Sequence, residues 1–246
     1  ASLLPFATHG TAISRSASRT FPPELQSAVS VLHPGINLQH CRPHKSREQV
    51  RSEWGLNPTD VAIGYIGRFA IEKNPTIVAR TVARLGEPYH AIYVGPVHHE
   101  REDLAEAKRQ AGSRGHFLPP VEFVGDAFVG LDAYVLASPS EGFGLALAEA
   151  WANRVPTIAT PVGAVPELEA VHGPMVLSIP VDPTPDEVAA AIAKLGTAEA
   201  RAVVDHAHRV VLEGLLDRHF AARFDRYVRD VLSGWELRRP GARRGP

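Results

Sequence analysis

A chain of 246 residues with 44% hydrophobic, 22% charged and 7% aromatic residues has the composition of an ordinary globular protein, which excludes intrinsic disorder and membrane spanning. Its 26 Lys and Arg against 27 Asp and Glu leave a net charge of −1, so no long-range field draws nucleic acid or anionic lipid. Any anion must then be held by a few placed cations, and a small-molecule partner is expected. One cysteine, Cys41, rules out an internal disulfide framework and a cysteine-built zinc site, and fits a reducing, cytoplasmic setting. No run approaches the ~20 apolar residues of a transmembrane helix, which leaves peripheral attachment as the only membrane role. The chain opens on Ala1 rather than Met, and Ala1–Phe6 is too short and lacks the basic flank of a signal peptide, so further sequence is expected upstream.

In chain order, residues 1–50 suggest a helix near Ser14–Thr20, the proline-rich Phe21-Pro22-Pro23, a short strand Val29–His33 and the turn Pro34-Gly35. This is the pattern of the edge of another unit followed by a linker. From residue 61, short apolar runs alternate with amphipathic stretches, the signature of parallel strands joined by crossover helices. Strands are expected at Val61–Gly67, His90–Gly95, Val121–Gly125, Ala133–Pro139, Pro156–Thr160 and Met175–Ile179. Helices are expected from Pro75 to Leu85, then at Arg101–Gly112, Gly144–Asn153, Pro166–Val171 and Asp186–Gly196. The Gly-punctuated segment Asp126–Asp132 is too short for a full crossover helix and predicts a loop or one helical turn. Phe220, Phe224, Tyr227, Val228, Val231 and Leu232 form an apolar stripe at helical spacing, and an arginine-rich tail, Arg238–Arg244, is expected to be solvated.

In a doubly wound sheet, ligands sit beyond the carboxyl ends of the strands, so polar residues just after strands carry the most weight. After the first strand come Gly67, Arg68, Glu72 and Lys73, two cations across a tight turn at the mouth of a helix. Together with helix amides they suit a phosphate or diphosphate, and no G-x-G-x-x-G follows this strand. After the fourth strand, Ser138-Pro139-Ser140-Glu141-Gly142-Phe143-Gly144-Leu145 brings an acid and two glycines to a helix start, with Glu149 inside the helix. An acid on an otherwise apolar helix is costly to bury without a partner, and a pair of sugar hydroxyls would supply one. A capping or salt-bridge role for Glu149 stands beside that reading. Thr160-Pro161-Val162-Gly163 leading to Glu167 is a third strand-to-helix turn, for which a structural role is the simpler reading.

Taken in order, these motifs make the chain resemble the donor-binding half of the retaining GT-B glycosyltransferases of the family 4, or group 1, type. Their carriers are Gly67-Arg68 with Glu72-Lys73, Tyr93-Val94-Gly95-Pro96, Val121-Glu122-Phe123-Val124-Gly125, the Glu141/Glu149 pair in its Gly-Phe-Gly context, and Pro156–Thr160 leading to Gly163 and Glu167. The resemblance runs from about Ser14 to Leu232. It implies an α/β fold, a Rossmann-like doubly wound parallel sheet forming the C-terminal domain of a GT-B enzyme. It also implies a nucleotide-diphosphate sugar as donor, no cofactor and no metal. On that resemblance, Arg68 and Lys73 hold the diphosphate and Glu141 contacts the transferred sugar. Glu149 holds the ribose hydroxyls, and Gly67, Gly142, Phe143, Gly144 and Leu145 bring backbone to the phosphates. Val124 and Gly125 lie near the base.

The implied organisation is a remnant of an N-terminal acceptor domain at 1–33, a linker at 34–50 and the donor domain at 51–216. A C-terminal helix at 217–235 and a basic tail at 236–246 follow. The acceptor, whether glycan, lipid or small molecule, would be brought by an N-terminal domain or a separate chain. The isolated 246-residue chain is therefore expected to bind donor and transfer sugar poorly. A non-catalytic nucleotide-sugar-binding module is the alternative function. A phosphorylase or epimerase on the same scaffold fits less well, since nothing marks a pyridoxal phosphate lysine. His98, His99 and Glu100, and Cys41 with His40 and His44, lack metal-site spacing.

Overall fold

The computed structural model describes residues 9–96 and 102–236. The described part opens with a strand β1 (Gly10–Ala12), two short helices α1 (Arg15–Ser18) and α2 (Pro23–Gln26), and β2 (Val29–Val31), which pairs parallel to β1. The stretch 34–50, expected as a linker, carries α3 (Leu38–Cys41) and the first part of α4 (Arg47–Glu53). Ser46 and Gln49 close a capping box at the start of α4. Arg47 and Arg51 then tie this helix to Asp132 at 2.6 and 3.1 Å.

The main sheet follows: β3 (Val61–Ile66), α5 (Thr76–Leu85), β4 (Tyr89–Val94), α6 (Glu102–Ala111), β5 (Gly115–Leu118), α7 (Val124–Val129), β6 (Ala133–Leu136), α8 (Leu145–Ala152), β7 (Thr157–Ala159), α9 (Val165–His172), β8 (Leu177–Ser178) and α10 (Pro185–Ile192). All six strands are parallel in the order β5-β4-β3-β6-β7-β8, so the winding reverses between β3 and β6. That reversal opens a crevice at the carboxyl ends of those two strands.

Alternation along β3 places Ala62 and Ile66 in one apolar layer and Ile63 and Tyr65 in the other, as expected for strands covered on both faces. One layer takes Phe128 of α7, Leu147 and Trp151 of α8 and Leu168 of α9. The opposite layer takes Ile77, Val78 and Val82 of α5, Leu104 of α6 and Val188 and Ile192 of α10. Two further helices follow within the described residues, α11 (Ala198–Gly214) and α12 (Asp217–Glu236). The first packs on α8 through Ala207 and Val211 and had no counterpart in the sequence reading. The stripe on α12 is half-covered, leaving Phe224 and Leu232 exposed.

The expected strand Val121–Gly125 is absent. The strand at that edge is β5, whose Phe117 and Leu118 pair with Tyr93 and Val94. Pro119 and Pro120 follow it and have no amide hydrogen to extend a ladder. Val124 instead opens α7, a short helix that takes the helical of the two alternatives for the segment after it, and buries Val124, Ala127 and Phe128. The arginine-rich tail and the loop with His98, His99 and Glu100 lie outside the described residues.

Candidate functional site

At the carboxyl end of β3 the chain turns through Gly67, with φ 143°, into Arg68. The turn is packed against the end of β4: a Cβ on Gly95 would stand 2.1 Å from the Gly67 carbonyl oxygen. Tyr65 donates to the Arg68 carbonyl at 2.8 Å and fixes the backbone below that side chain. Burial pushes the Tyr65 phenol up, with the Glu141 charge adding to it, so it stays a donor. A single 3-10 turn, Ile71–Lys73, then presents Lys73 ahead of α5.

The two cations fare differently. Lys73 Nζ lies 2.8 Å from Glu141 Oε1, with the side chains 26% and 12% exposed. Arg68 projects into solvent and pairs with Glu72 at 2.9 Å. The crossing of β3 and β6 thus joins Lys73 to Glu141, whereas Arg68 stands at the rim.

The loop after β6 is held by its carbonyls. Ser14 donates to the Gly142 carbonyl, and Ala164 N–H donates to the Phe143 carbonyl at 3.1 Å. Gly144, with φ 97°, is the N-cap of α8, and no side chain caps the helix. Its leading amides and the positive end of its dipole are therefore available to an anion beside Leu145, which is exposed. Phe143 is buried, its ring 5.6 Å from that of His33.

Glu149 sits in α8 between the buried Ala148 and Ala150. Burial lifts its carboxyl to about 7, and among the described residues it has no hydrogen-bond or ion-pair partner. Its charge and that of Glu141 both act on the fully buried Tyr134, which is pushed well above its ordinary value chiefly by burial. The same carboxylate adds to the burial that pushes the Cys41 thiol up to about 12. A half-buried acid without a partner is the sort of group that a ligand completes.

Val124 and Gly125 are not on an open strand end. A Cβ on Gly125 would stand 2.1 Å from the Cys41 carbonyl oxygen, so this part of α7 is packed on α3. The open space lies a few residues earlier, in a cavity of about 650 Å³ lined among others by Trp54, Val94, Leu118, Pro119, Val121 and Phe123. His44 stacks on Phe123 there, ring centroids 3.8 Å apart.

Three residues, Glu167, Ser138 and Thr160, make contacts that the sequence does not spell out. Glu167, at the turn whose simpler reading is structural, accepts from the Arg15 amide at 3.1 and 3.0 Å and lies 3.0 Å from His33 Nε2. It clamps the β1–β2 unit to the start of α9. Ser138 donates to Glu141 Oε1 at 2.8 Å, and Thr160 donates to the Ser138 carbonyl at 2.6 Å. A signal for Ser138 existed only in its place, at a strand end before a proline. Among the described residues no cluster of His, Cys, Asp and Glu could hold a metal, and no helix is long and apolar enough to cross a membrane.

Residues 60–197 match the family described as Glycosyl transferases group 1. The chain is similar to the D-inositol 3-phosphate glycosyltransferases of Mycobacterium marinum and Mycobacterium ulcerans, 32% identical to each over 88% of its length. It spans about half of those relatives, 51% and 52%. Its fold matches Anabaena HepE solved with UDP and glucose, with TM-score 0.81 and 17% identity over 93% of this chain and 65% of that one. It also matches the C-terminal domain of a group 1 glycosyl transferase, LpcC, from Francisella tularensis, with TM-score 0.58 and 23% identity over 73% of this chain and 97% of that one. The parallel α/β sheet with helices on both faces is thus the Rossmann-like C-terminal domain of a GT-B fold, and the chain belongs to the group 1 glycosyl transferases.

Proposed function

We propose that this chain supplies the donor half of a retaining glycosyltransferase that moves a sugar from a nucleoside diphosphate to an acceptor. The observation that carries the reading is the meeting of Lys73 and Glu141 at 2.8 Å where the winding of the sheet reverses, beside an uncapped helix start. Relatives named for glycosyl transfer, and a structural neighbour that holds UDP and glucose, support a nucleoside diphosphate sugar as donor.

Lys73 and the α8 amides would take the diphosphate, with Arg68 closing from the rim. As the bond from the anomeric carbon to the diphosphate oxygen breaks, negative charge grows on the leaving phosphate, and these fixed donors lower the cost of that charge. Glu141 would accept from a sugar hydroxyl and Glu149 from the ribose hydroxyls. The base would lie over Pro119–Phe123, in the cavity of about 650 Å³. The acceptor half would come from an N-terminal domain or a second chain.

Titration calorimetry of the 246-residue chain with UDP, GDP and ADP tests this reading. One of the three should bind, and Lys73→Ala and Arg68→Ala should each weaken it, Lys73→Ala by tenfold or more since a charge-assisted bond contributes about 1.5–3 kcal/mol. Absence of binding by all three would overturn the donor-site reading.

A further inference from the structure

We infer that Ser138 is a positioning residue for Glu141, fixing its carboxylate so that one oxygen, Oε2, is kept for the transferred sugar. The inference rests on the donor-site reading above and assigns a part to a residue that touches neither nucleotide nor sugar.

The hydroxyl of Ser138 donates to Glu141 Oε1 at 2.8 Å, and the ammonium of Lys73 pairs with the same oxygen at 2.8 Å. Among the described residues nothing donates to Oε2. A carboxylate has two oxygens and room for about four donors, so engaging one oxygen with both the Ser138 hydroxyl and the Lys73 ammonium leaves the other to accept a ligand hydroxyl. A carboxylate free to rotate would exchange its two oxygens and present neither reliably.

Ser138 itself is immobilised three ways. It is fully buried. It precedes Pro139, which confines its backbone to the extended region. Its carbonyl is taken by the hydroxyl of Thr160, also fully buried, at 2.6 Å. Glu141 is confined from the other side as well: Gly163, with φ 63°, approaches so closely that a Cβ there would lie 2.9 Å from the Glu141 Cβ. A hydroxyl anchored to β6 and β7 therefore sets the direction of a carboxylate in a loop, the arrangement by which a supporting residue transmits the rigidity of a sheet to a binding group.

Two measurements on the full chain test this. In the first, UDP, GDP and ADP, with the glucose ester of whichever binds, are titrated into wild type, Ser138→Ala and Ser138→Thr. Ser138→Ala should keep the affinity for the nucleoside diphosphate within twofold and lose fivefold or more for the glucose ester. Ser138→Thr, which restores a hydroxyl, should recover most of that loss. Equal losses for both ligands, or no loss for either, would overturn the positioning role while leaving the donor site in place; failure of wild type to bind any nucleotide would instead strike the donor-site reading. The second measurement needs no ligand. Crystal structures of wild type and Ser138→Ala should show the Glu141 carboxylate ordered on residue 138 in the first and displaced or spread over rotamers in the second. An unmoved carboxylate in Ser138→Ala would overturn the inference.

Discussion

Replacing Glu149 by glutamine should make the empty protein more stable and the ligand bind less well. The carboxyl is lifted from 4.5 to about 7 by burial alone. A rise of that size means that the fold disfavours the ionised form by about 3 kcal/mol, an upper figure since the group keeps some contact with water. The sign follows from proton counting. Between 4.5 and about 7 the folded chain holds a proton that the unfolded chain has released, so wild-type stability falls as pH rises through that window and stays low above it. Glutamine keeps the shape and carries no charge to desolvate. At pH 8 the variant should therefore gain about 1–3 kcal/mol, or several degrees in Tm for a chain of this length, and its Tm should no longer fall from pH 5 to pH 8 on account of this group. Differential scanning calorimetry at the two pH values reads this directly. In calorimetric titration the proposed nucleotide should lose tenfold or more, because two hydroxyls that would donate to a carboxylate meet a neutral amide. Wild-type binding should also strengthen from pH 6 to pH 8 as Glu149 ionises. A variant that melts lower at pH 8 and binds nucleotide like wild type would refute both halves of the reasoning.

The Lys73–Glu141 pair gives a prediction of the same kind. In the empty protein Glu141 competes with a diphosphate for Lys73, so Glu141→Gln should bind the nucleoside diphosphate about fivefold more tightly, from a half-buried pair worth about 1 kcal/mol, while binding the nucleotide sugar less well. A weaker nucleoside diphosphate complex in calorimetry would count against that competition. Gly95→Ala should cost at least about 2 kcal/mol in denaturant unfolding, because its Cβ would strike the Gly67 carbonyl from a backbone with φ 150°; an unchanged midpoint would show that the two strand ends can separate. Cys41, buried and with its thiol pushed up to about 12, should resist iodoacetamide at pH 8 in the native chain and react on unfolding; rapid native labelling, read by mass spectrometry, would contradict that burial.

Much of the sheet was legible because its strands are apolar runs ended by glycine or proline, and its helices carry their own start signals. Pro75 and Gly86 bracket α5, and Thr184 with Glu187 caps α10. The errors came where pattern and tertiary context disagree. Val121 to Val124 has strand composition, yet two prolines cut it from the ladder and burial against α3 and α4 turns its end into helix. In helix α11, His206, His208 and Arg209 interrupt the apolar face that Ala207, Val210 and Val211 form against α8, which hides its period in the sequence. In the candidate site, Lys73, Glu141, the loop glycines and, inside the next helix, Glu149 could be nominated from residue type and place. Their partners could not. That Lys73 rather than Arg68 meets Glu141 depends on the 3-10 turn before α5, and the roles of Ser138 and Glu167 depend on contacts across strands and across 134 and more residues of chain.

The near-neutral composition is repeated in the site itself. Lys73 is paired with Glu141 and Arg68 with Glu72, and burial lifts the Glu149 carboxyl to about 7, so each charge in the crevice is either paired or held back by burial. Each of these arrangements is one a nucleotide sugar could exchange for a better one: phosphate oxygens for Glu141 at Lys73, ribose hydroxyls for the missing partner of Glu149, a sugar hydroxyl at the unencumbered oxygen of Glu141. Only the exchanges, not the resting contacts, contribute to affinity, because binding is the difference between the two states. A ligand that offers the diphosphate alone would make the first exchange and leave Glu149 and Glu141 exposed to the same desolvation as before. On this account inorganic pyrophosphate should bind far more weakly than a nucleoside diphosphate, by a hundredfold or more, although both carry the charge that Lys73 and Arg68 attract. Similar affinities in calorimetry would mean that the cations act alone and that Glu149 belongs to the fold rather than to the site.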